Sequence, residues 1–179
     1  MNENAPLIEE FIARKEQVLN LETRLFVIVF ALELVFVLFY FYWRDKLQSE
    51  KTHSIVAFSV YLVLFFEMIA INGKMGLISM YLKQLESFLT SAGYAGLVWE
   101  SKALRMIIFV PGNAFTLPAF FTIVVLLCQT IYACYFTNLT VWGSRRKTAI
   151  ATIGLGILIL FIVMKTVTVD FYRNLPNIF

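Results

Sequence analysis

Residues Leu25–Trp43 read LFVIVFALELVFVLFYFYW, with Glu33 as the one charged side chain, and they stop against Arg44. As a helix this stretch rises about 28 Å, close to the roughly 30 Å of a bilayer's hydrocarbon core. Its closing aromatics and arginine form the pattern of a membrane–water interface. Three more apolar runs, Ile55–Ile71, Leu117–Phe136 and Ala149–Met164, have comparable length. Hydrophobic residues make up 60% of the 179 and the mean hydropathy is +0.77, well outside the soluble range. The expected fold class is therefore an all-α integral membrane protein with about four transmembrane helices.

The flanks of these runs predict long amphipathic extensions. Asn4 can cap a helix starting near Pro6 with Glu9 and Glu10 in its first turn, and no Gly or Pro follows from Leu7 to Trp43. Within that helix Ile8, Phe11, Ile12, Lys15, Val18 and Leu19 make a stripe that faces either a partner helix or lipid headgroups. A partner helix is the better fit, because glutamates line the other side. A short polar loop carries the chain from Arg44 to His53. The second span runs to Asn72-Gly73, and Met75–Leu89 (MGLISMYLKQLESFL) then gathers Ile78, Tyr81, Leu82, Leu85, Phe88 and Leu89 on one side.

Five segments follow: an amphipathic N-terminal helix (1–24), a hairpin of two spans (25–71), a cytoplasmic or interfacial helical segment (72–116), a second hairpin (117–165) and a C-terminal tail (166–179). The middle segment holds a Pro111-Gly112-Asn113 turn and a run, Met106–Val110, too short to span and thus interfacial or re-entrant. Trp43 and Trp142 place the two short loops on one side of the membrane. The N-terminus lacks the basic start and cleavage site of a secretory signal, so no segment is expected to be removed. A multi-pass position in the membrane is the expected location. Both termini are read as cytoplasmic, which avoids exporting a charged helix.

Chemistry has few residues to rest on. The single histidine, His53, reads as interfacial, and there is no CxxC, phosphate-cradling glycine loop or zinc-ligand cluster. Cys128 and Cys134 sit within one span on different helix faces and read as small buried apolar residues. The chain is expected to be no enzyme and to need no cofactor. A net charge of +3 fits basic membrane flanks and by itself does not point to nucleic acid.

Polar groups inside the spans are the candidates that remain. A charged Glu33 facing lipid would cost at least about 2.5 kcal/mol. Either Glu33 and Glu67 line an ion path or gate, or each binds a neighbour such as Arg24, Lys165 or a backbone group and fixes helix register. Span three repeats Gln129, Ala133 and Thr137 on one row and Thr130, Cys134 and Asn138 on the next. This face suits helix packing or a pore lining. Thr148, Thr152 and Gly156 repeat in span four and suit close helix contact. Glu33, Glu67, Gln129 and Asn138 are thus the pore or gate candidates. A homo-oligomeric channel, a non-catalytic membrane subunit and a small transporter are the functions left open, the last without internal repeat or broken helix to support it.

In its layout, a helix running into a span (EEFIARKEQVLNLETRLFVIVF) followed by three more spans and cytoplasmic extensions, the chain resembles the small membrane effectors of bacterial anti-phage defence. It is similar in architecture to the channel component of Hailong systems, with no diagnostic motif shared. The resemblance implies a tetrameric channel kept shut by a short single-stranded DNA oligomer that a partner nucleotidyltransferase supplies. Lys74, Lys83, Lys102 and Arg105 would then bind the ligand, among Tyr81, Tyr94 and Trp99. Read alone, the same residues are equally the basic flanks of membrane spans.

Overall fold

The computed structural model describes residues 5–93 and 117–167. All the described elements are helical: α1 (Ala5–Val35), a π-helical continuation (Phe36–Tyr42), α2 (Arg44–Ser49), α3 (Lys51–Ser91), α4 (Leu117–Trp142) and α5 (Arg145–Val167). Among the described residues three stretches are long and apolar enough to cross a membrane, Pro6–Tyr42, Lys51–Ser91 and Val124–Trp142. Asn4, the whole of Tyr94–Thr116 with its Pro111 turn and Met106–Val110 run, and the tail from Thr168 lie outside the described residues.

Two very long helices follow from the absence of breakers. α1 with its π continuation covers 38 residues and α3 covers 41, so each is about 60 Å long, twice the hydrocarbon thickness. Because α1 begins at Ala5, its first turn holds no acidic residue, and Glu9 and Glu10 fall in the second turn. Gly73 does not interrupt α3, since the flanking residues favour helix and its cost there is only about 1 kcal/mol.

α1 and α3 pack antiparallel through a heptad seam. On α3 the inward residues are Ser54, Ala57, Tyr61, Leu64, Met68, Ile71, Met75, Ile78, Leu82, Leu85 and Leu89, alternating steps of three and four. Leu7, Phe11, Val18, Leu21, Leu25, Ile28 and Leu32 face them from α1. A 3.5-residue repeat keeps such a seam on one side of both helices. Two side-chain pairs mark the register: Arg24 meets Glu67 and Glu10 meets Tyr81. Fourteen residues separate the pairs on each helix, so the register holds over about 21 Å. The seam continues past the apolar stretch as a second core of Phe11, Val18, Leu82, Leu85 and Leu89. The partner for the N-terminal stripe is thus the chain's own α3, although Ile12 and Leu19 of that stripe remain exposed.

The π-helical turns alter which aromatics face inward. Trp43 N–H donates to Leu38 O, five residues back, at 3.0 Å. In this wider helix Phe36 and Tyr40 are both buried, and they meet Tyr132 and Phe136 edge-on at 5.8 and 5.9 Å. The short polar connection to α3 contains the short helix α2, and buried Leu47 holds it down. Glu50 is extended and starts α3, with His53 Nδ1 2.8 Å from its carboxylate. At the other turn Gly143 adopts φ +64°, the left-handed conformation that ends α4 and frees the chain for α5.

Candidate functional site

The seam where α4 meets α1 and α3 collects the polar groups. Gln129 Nε2 donates to Glu33 Oε2 at 2.6 Å, and both side chains are half-buried. Glu33 therefore has a specific amide partner from another helix. Deeper in the same interface Tyr61 OH pairs with Thr130 Oγ1 at 3.2 Å, and Thr130 donates to Leu126 O at 2.7 Å. Nearer the short loops Tyr40 OH and Thr137 Oγ1 are 3.3 Å apart and buried. These two tyrosine–threonine contacts give α4 a fixed position in an otherwise apolar bundle, since a lone hydroxyl in hydrocarbon is costly.

Beyond the Glu33–Gln129 pair, the pore or gate candidates lie in separate places within the protomer. Asn138 lies nine residues beyond Gln129, about 180° round α4, and donates instead to Cys134 Sγ at 3.4 Å. Glu67 does not join Glu33 either. It accepts from Arg24 at 2.5 Å, about two and a half turns along α1 from Glu33, with the two side chains 64% and 40% exposed. So open an ion pair contributes at most about 1 kcal/mol and marks an interface position. Lys74 and Lys83 are both exposed on α3, nine residues and thus about 180° apart. Lys102 and Arg105 lie outside the described residues.

The roles of Tyr40 and Tyr61, and the meeting of Glu10, Arg14 and Tyr81, were not expected from sequence. Tyr81 OH donates to Glu10 Oε1 at 3.0 Å, and Arg14 lies 5.9 Å over the Tyr81 ring. The stripes on both helices signal that they have partners, but the pairing of position 10 with position 81 follows only from the packed register. Cys134 is buried, but Cys128 is exposed on the bundle surface rather than buried. Among the described residues no three His, Cys, Asp or Glu side chains gather where they could hold a metal ion.

The chain matches no protein-family model, and no curated protein or solved structure proves similar to it.

Proposed function

We propose that this chain is the protomer of a homo-oligomeric membrane channel with four spans, α5 being the fourth, and with the α1–α3 stalk in the cytoplasm. The observation that carries the reading is the Glu33–Gln129 pair. It sits near the middle of an apolar span, and both side chains are only partly buried. A carboxylate there against lipid is expensive, so another copy or a water path covers it. The bundle interior is filled by Leu32, Tyr40, Tyr61, Phe65 and Ala133, which leaves the space between copies as the place for a conducting path. A ring of Glu33 carboxylates would favour cations.

The test is planar-bilayer recording on the purified protein, with its mass in detergent measured on the same sample. Discrete conductance from a defined oligomer, altered in unitary size or ion preference by Glu33→Gln, is the expected result. A monomer that conducts nothing, or Glu33→Gln currents identical to wild type, removes this assignment of Glu33.

Gating by a short single-stranded DNA oligomer, supplied by a partner nucleotidyltransferase and closing a tetramer in antiviral defence, belongs to the same proposal. It draws on the architectural resemblance and on the stalk's exposed Lys74 and Lys83. Because these point to opposite sides of α3, a strand engaging both would pass between protomers.

A further inference from the structure

In sequence, Thr148, Thr152 and Gly156 suit close helix contact, yet a methyl group added at Gly156 would meet no atom within 4 Å. α4 and α5 diverge there and leave a cleft of about 220 Å³. Cys134 and Thr152 line its end toward the short loop, and Leu127 and Leu160 line its end toward mid-membrane. From Thr152 to Leu160 the slot runs about 12 Å along the helix axis. A dry slot of this kind in a bilayer forfeits contacts unless hydrocarbon or a side chain fills it.

Thr152 is unlike its neighbours. Thr130, Thr140 and Thr148 each donate to the carbonyl four residues back. The buried Thr152 hydroxyl makes no such bond and lies beside the Cys134 sulfur, a weak partner, with no oxygen or nitrogen to bond among the described residues. Seven residues earlier, within about 20° of the same helix face and about 10 Å nearer the membrane surface, stands Arg145. It is exposed, as are Arg146 and Lys147. Cations at the surface and an apolar slot below them follow the order of phosphate and acyl chain in a glycerophospholipid.

We propose that the α4–α5 cleft holds one acyl chain of a phosphate-bearing lipid, its phosphate lying at Arg145 and Arg146. This rests on reading α5 as a span. Lipid is a better occupant than a second copy because the cleft faces about 150° round α4 from Gln129, the side on which copies are proposed to meet.

The test uses the full chain in phosphatidylglycerol vesicles doped with phosphatidylglycerol carrying a diazirine on its acyl chain, with cross-linked residues mapped by mass spectrometry. Label should concentrate on Leu127 and Ile159 over the freely exposed Ile153 and Ile157. Gly156→Leu should cut cleft labelling about fivefold by filling the slot. Gly154→Leu, a matched change where a methyl group also meets nothing within 4 Å, should leave it unchanged. Even labelling across α4 and α5, or a Gly156→Leu variant labelled like wild type, overturns the site. Labelling unaffected by joint Arg145→Gln and Arg146→Gln overturns the phosphate assignment. If Gly156→Leu instead lowers the oligomer mass while Gly154→Leu does not, a second copy occupies the cleft. No label anywhere on α5, Ile153 and Ile157 included, means that the reading of α5 as a span fails and the lipid site with it.

Discussion

Tyr81 shows how one side chain couples the two halves of the stalk. Burial and the Glu10 carboxylate to which it donates push its phenol above the ordinary value near 10, and Arg14 opposes them. The folded stalk therefore holds the phenolic proton more tightly than the unfolded chain does. The stability from this contact is complete below pH 10 and is lost as pH rises through the folded value. Tyrosinate absorbance and stalk melting followed together should show one alkaline step that is absent in Tyr81→Phe, with no Tyr81-linked change between neutral pH and pH 9. A step persisting in Tyr81→Phe would assign it elsewhere. At this scale the sequence makes Glu33 conspicuous, because a carboxylate inside an apolar run is costly anywhere. It does not disclose Gln129 as the partner, since that pair joins residues 33 and 129 through packing alone.

At the scale of elements, the α1–α3 hairpin has two cores, one within the apolar stretch and one in the stalk. Phe11→Ala removes the largest side chain of the stalk core and should cost about 3 kcal/mol there. Hydrogen exchange should then quicken for amides near Phe11 and Leu85 while those around Leu32 and Tyr61 keep their protection. If both regions loosen together, the hairpin behaves as one cooperative unit. The amphipathic stripes of both helices are legible in sequence, but their mutual register is not, because a stripe states only that a partner exists. The π-helical turns are illegible for another reason. No Gly or Pro marks them, and they arise where Phe36 and Tyr40 find aromatic neighbours on α4.

For the whole molecule, the short-loop end gathers Arg44, Lys46, Lys51, Arg145, Arg146 and Lys147, all exposed, while the described stalk mixes both signs with exposed Glu9, Glu16 and Glu22. A nucleic acid reaching Lys74 and Lys83 must therefore compete with nearby carboxylates. Binding of a fluorescent single-stranded oligonucleotide to the detergent-solubilised oligomer should be measurable at low salt and fall steeply with added salt. It should weaken in Lys74→Gln and Lys83→Gln separately if a strand passes between protomers. Absence of binding at low salt would remove the ligand-gating proposal and leave the channel reading intact.

The amino-acid sequence by itself determined that this chain is helical, that several helices are long and apolar enough for a bilayer, and that charged or amide side chains lie where lipid penalises them. These properties follow from local length, hydropathy and period, which depend on near neighbours in the chain. Only the tertiary structure decided which polar groups meet: Glu33 with Gln129, Glu67 with Arg24, Tyr61 with Thr130, and Asn138 on the far side of α4. The physical reason is that rotation of each helix about its axis is set by the summed packing of its whole face, a quantity that no short stretch of sequence contains.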